Sequence, residues 1–115
     1  MAALMRAESK ELLLANMKIA KSMYSRTKGL LGTDGLADDE ALWIHRCNSI
    51  HTFFMRYAID CVFLDRNLEV KSIVPAVKPG RIVWPKWSAV SVIEMRAGRA
   101  EELKIRKGDR LYVGI

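Results

Sequence analysis

Two cysteines in 115 residues allow at most one internal disulfide, and in a reducing compartment both are expected as free thiols. No Cys-x-x-Cys pair is present, so the tight paired-ligand spacing of a structural zinc site is missing. No apolar run approaches the roughly 20 residues needed to cross a bilayer. Residues 1–17 lack a continuous apolar stretch and place Glu8 and Glu11 beside Lys10. That pattern reads poorly as a secretory signal, and a cytoplasmic location is the expectation. Gly29 and Gly32 bracket two leucines without the lysine and serine of a phosphate-binding loop. Repeats, low-complexity tracts and long crossover helices are also missing, which argues against a solenoid or a doubly wound parallel sheet.

What is present is an apolar fraction of 50%, incompatible with general disorder, in a chain of single-domain length. Residues 1–65 carry eight basic and eight acidic side chains; residues 66–115 carry eleven basic and five acidic ones, which is the whole net charge of +6. Such an excess can steer anionic ligands or nucleic acid, but it equally suits solvated strand edges.

Residues 1–10 read as a loose leader, followed by one β domain over residues 11–115. Strands are expected near Glu11–Ala20, Ala41–His45, Ile59–Leu64, Glu69–Val74, Ala89–Met95 and Arg110–Ile115. Asp65-Arg66-Asn67 is a natural hairpin turn. Ser22 can cap a short helix running to Leu31, with Gly32 ending it, and Arg99–Leu103 makes a second. Pro75, Pro79, Gly80 and Pro85 place the intervening stretch in a loop or edge segment. The sum is an all-β fold, a small antiparallel barrel or sandwich of about six strands and two short helices.

The chemistry-bearing residues gather between Trp43 and Leu64. Extended backbone would put His45, Cys47, Ser49 and His51 on one face. Cys47 with His51 as base and Asp60 as orienting group would suit a cysteine-dependent enzyme. Asn48, Ser49, His51 and Arg56, walled by Trp43 and Phe53, would instead suit non-catalytic binding of a small polar or anionic ligand. Glu94 joins that site if its strand turns it inward, where a carboxylate needs a partner. No metal or other cofactor is expected, because Cys61 reads as a small core hydrophobe. A third reading, less favoured, is a basic nucleic-acid-binding module built from Lys78, Arg81, Trp84, Lys86 and Trp87; the same loop could dock a protein partner.

Five segments in order carry a resemblance: Arg26–Gly32, Asn48–Met55, Ile59–Asp65, Val92–Met95 with Ala97-Gly98, and Ile105–Asp109. Together they resemble the DUF192, or UPF0127, family of uncharacterised small proteins, over about Ala20 to Val113. The resemblance implies a compact, mostly β domain with little helix and no assigned activity. Relatives are often exported behind a leader, which is not expected here. The Cys-Asn-Ser-Ile-His stretch resembles one branch of the family. Function is therefore expected to be binding of a small polar or anionic molecule or a partner protein, with the cysteine enzyme and the nucleic-acid module as alternatives.

Overall fold

A strand of six residues, Ile59–Leu64, is buried along its whole length, and the architecture follows from covering both of its faces. Such a strand reads as a continuous apolar run rather than an alternating one. The computed structural model describes residues 2–114, without the side chains of Met23, Tyr24 and Thr27. In chain order the elements are β1 (Ala2–Arg6), β2 (Leu12–Ala20), α1 (Met23–Lys28), β3 (Glu40–His45), β4 (Ile50–His51), β5 (Ile59–Leu64), β6 (Val70–Val77), β7 (Ile82–Val83), β8 (Ser91–Arg96), α2 (Arg99–Glu102) and β9 (Leu111–Gly114).

Seven strands form one curled sheet in the order β6-β5-β8-β3-β2-β1-β9, and β4 pairs with β7 in a separate ribbon. The sheet is a half-barrel whose edges meet at a bridge between Glu69 and Arg110 and the backbone bonds around it. Val62 and Leu64 point into one core with Leu4, Leu14, Met17, Ile93 and Met95. Ile59, Cys61 and Phe63 point into another with Ala20, Leu42, Ile44 and Val92. Leu30 and Val83 also belong to that second core, so the segment after α1 and the β4–β7 ribbon cover the outer face of the sheet.

Several expectations change. The fold is mostly β, as expected, but it has more than six strands. It is not wholly antiparallel: β2 and β3 run parallel, which the 21–39 crossover permits because parallel neighbours need a connection of a dozen or more residues. Ala2–Arg6 is no loose leader. It pairs with both β2 and β9, and Leu4 is completely buried. Ser22 does cap α1: its hydroxyl accepts the Ser25 N–H while the Ser25 hydroxyl accepts the Ser22 N–H. That helix stops at Gly29 rather than Gly32, with Gly29 at φ 50°. Strand β6 continues through Pro75, which an edge strand tolerates. The last strand ends at Gly114, and Ile115 lies outside the described residues.

Candidate functional site

Glu94 sits in the middle of β8, in register between Leu42 of β3 and Cys61 of β5. Alternation along β8 puts it on the outer face with Val92, beneath the α1 segment and the ribbon. It is 5% exposed. Burial pushes its carboxyl up to about 7. Above it opens a cavity of about 300 Å³, whose walls include Arg26, Lys28, Cys47, Ser49, His51 and Glu94, with Ile44, Ile50 and Met55 as apolar surface. The cavity thus has a buried carboxyl, two cations from the last turn of α1, and a hydroxyl, a thiol and an imidazole from the 47–51 segment.

The expected face of His45, Cys47, Ser49 and His51 does not form as drawn. Arg46 adopts φ 52°, which breaks the two-residue alternation just after β3. His45 stays on the inner face, its ring 4.0 Å from that of Trp43. Cys47 turns to the outer core. Trp43 and His45 therefore line a different hollow, with Ser91, Arg46 and Arg66. Burial, then Lys21 and Arg46, lower the His45 pKa.

Cys47 donates its thiol to the Ser49 carbonyl at 2.9 Å, and burial pushes its pKa upward, the opposite of an activated thiolate. Burial raises the Cys61 pKa as well. Asp60 does not orient His51. Its two oxygens accept the backbone N–H groups of Ala76, at 2.8 Å, and Ala100, at 3.0 Å, so it fixes the irregular β5–β6 pairing and the start of α2. Arg56 is exposed and paired with Asp34. Asn48 accepts the Lys86 N–H through its backbone carbonyl. Of the residues expected at the binding site, Ser49, His51 and Glu94 share the cavity, while Trp43, Asn48, Phe53 and Arg56 are not among its lining residues. Its cations are Arg26 and Lys28. In sequence Arg26–Gly32 reads as a helix, its end and a mark of the family resemblance, and nothing in its own spacing says that it folds over β8.

The ribbon side is different in character. Thr52 is fully buried, and its hydroxyl donates to the Lys78 carbonyl and accepts the Arg81 N–H. That pair of bonds locks the loop after β4 to the loop before β7. Phe53 stacks on His51 with centroids 5.2 Å apart. Beyond it, Phe54, Ile82, Trp84 and Trp87 stand in solvent. Among the described residues no group of three or more His, Cys, Asp or Glu side chains is placed to hold a metal ion, and no helix is long and apolar enough to cross a membrane.

The DUF192 family model, described as "Uncharacterized ACR", matches residues 4–113. The chain belongs to the DUF192 family. A UPF0127 protein of Pyrococcus furiosus is 43% identical over 63 residues, covering 55% of this chain and 53% of that protein. Another, from Thermococcus sibiricus, is 34% identical over 99 residues, 83% of this chain and 64% of its own length. The chain spans about half the length of the Pyrococcus relatives it matches. A protein of unknown function from Novosphingobium aromaticivorans DSM 12444 superposes with TM-score 0.83 at 18% identity, over 96% of this chain and 82% of that one. A chain from Sinorhizobium meliloti 1021, provisionally described as a transcription regulator, also gives TM-score 0.83, at 20% identity over 97% and 91% of the two chains. Both likenesses are of fold. Arg26–Leu31, Ser49–His51 and Glu94 lie within segments that carry the sequence resemblance, and residues of all three line the cavity.

Proposed function

We propose that this protein binds a small polar molecule in the Glu94 cavity without performing chemistry on it. The observation that carries the reading is Glu94 itself: a carboxyl 5% exposed, on a cavity wall, with desolvation as the influence on its ionisation. Burying such a group is unfavourable until it meets a donor. A ligand hydroxyl or ammonium supplies one, and Arg26 and Lys28 can take a carboxylate or phosphate at the other end of the same molecule. The ligand class is therefore a hydroxy acid, amino acid or small phosphate ester, in keeping with a cavity at the small end of ligand pockets. The raised pKa of Cys47 speaks for binding over cysteine catalysis.

The test is thermal unfolding against a panel of amino acids, hydroxy acids and phosphate monoesters. A ligand at a hundred times its Kd stabilises the fold by about 2.7 kcal/mol, a shift readily measured. The shift should shrink in both Glu94→Gln and Arg26→Ala, and Glu101→Ala on the far side of the sheet should leave it unchanged. If no compound in the panel moves the transition, the proposal fails.

A further inference from the structure

The second feature lies outside that cavity, on the ribbon and its flanking loops. Large apolar side chains are usually scattered singly over a protein surface, and a cluster of them marks a contact site. Here Phe54 is 90% exposed, Trp87 84%, Trp84 72% and Ile82 51%. All four lie on β7 or on the loops around the ribbon, and the buried Thr52 clamp holds two of those loops together. Phe54 adopts φ 66°. A bulky residue in the left-handed region is strained, by about 1–2 kcal/mol. The fold thus carries a cost while leaving this ring in water.

Charge along the β6–β8 side of this surface is of one sign. Residues 70–93 contain no Asp or Glu, and they include Lys78, Arg81 and Lys86. None of those three cations forms a salt bridge among the described residues. The partner must therefore be anionic and must also accept apolar side chains. A single-stranded nucleic acid and an anionic bilayer both offer that combination, as an acidic protein surface does. A stacking platform for bases has one ring face laid on the protein, which hides much of the ring. Exposures of 84% and 90% mean that Trp87 and Phe54 project with both faces free. Projecting aromatic and aliphatic side chains with lysine and arginine beside them in the chain match the headgroup boundary of a membrane, where Trp and Phe enter and the cations meet anionic lipid.

We infer that the surface formed by Phe54, Ile82, Trp84 and Trp87, with Lys78 and Arg81, docks the protein peripherally on an anionic lipid bilayer. The test uses the full chain with phosphatidylcholine vesicles prepared with and without phosphatidylglycerol, read by co-sedimentation and by tryptophan emission. Binding is expected only to the anionic vesicles, with a blue shift from Trp84 and Trp87 and a loss of affinity as salt rises. Lys78→Ala with Arg81→Ala should weaken it about thirtyfold, from two cations near the surface. Phe54→Ser with Trp87→Ser, checked for an unchanged unfolding transition, should abolish it. Absence of binding to the anionic vesicles, or binding that both pairs of substitutions leave intact, overturns the inference. So does retention of a single-stranded oligonucleotide that Phe54→Ser with Trp87→Ser abolishes while vesicles bind nothing, which would assign the surface to nucleic acid.

Discussion

Glu94 shows how much of this protein's behaviour is set by where one side chain is placed. Between Val92 and Arg96 in a strand it has an ordinary carboxyl in the unfolded chain, with a value of 4.5, and about 7 in the folded one. The folded state then holds a proton that the unfolded state has released. The protonated form's advantage is complete below pH 4.5 and is lost as the pH rises through about 7, for a difference on the order of 3 kcal/mol. Glu94→Gln removes the titration. In urea the variant should gain stability over the parent as pH rises from 4.5 to 7, then keep a constant advantage. A parallel pH dependence in both proteins would mean that the carboxyl is solvated. His51 and Ser49, which line the cavity, were legible as candidates because polar groups crowd that stretch. Arg26 and Lys28 were not, because a basic residue in the last turn of a helix is equally accounted for by the helix dipole.

At the scale of elements, the strands that the sequence declared most clearly are those with continuous or alternating apolar residues. Ile59–Leu64 keeps its expected bounds, and β2, β3 and β8 shift by only one or two residues. The short ones escaped notice. Two residues of β4 and two of β7 carry no period, and their pairing is held by backbone bonds at both ends of the ribbon and by the Thr52 hydroxyl between Lys78 and Arg81. Asp60 belongs to this scale as well. Its sequence position beside Cys61 suggested chemistry, yet it serves two backbone amides from separate elements. Removing it in Asp60→Ala leaves the buried Ala100 amide and the part-buried Ala76 amide without their acceptor, and should destabilise the fold by about 2–3 kcal/mol. Asp60→Asn keeps one acceptor oxygen and should cost less. Both are measured by urea titration, and equal, negligible losses would show that water replaces the carboxylate.

For the molecule as a whole, the half-barrel depends on its first strand. Arg6 bonds to Glu11, to Asp109 and to the Leu103 carbonyl, tying β1 to the turn before β9. Deleting residues 1–6 would unpair β9, open the inner core at Ala2 and Leu4, and expose the edge of β2. Circular dichroism of the deleted chain should show a broadened or absent unfolding transition; a sharp one at the parent temperature would make β1 dispensable. The sequence by itself determined the β-rich class, the family, the central buried strand and the stretch where polar groups collect, because apolar periodicity and composition are local properties. Tertiary structure alone decided that β2 and β3 run parallel, that Arg46 turns His45 away from Cys47, and that α1 brings Arg26 and Lys28 over Glu94. Those are pairings between residues far apart in the chain, chosen by which faces must be covered, and no local pattern encodes them.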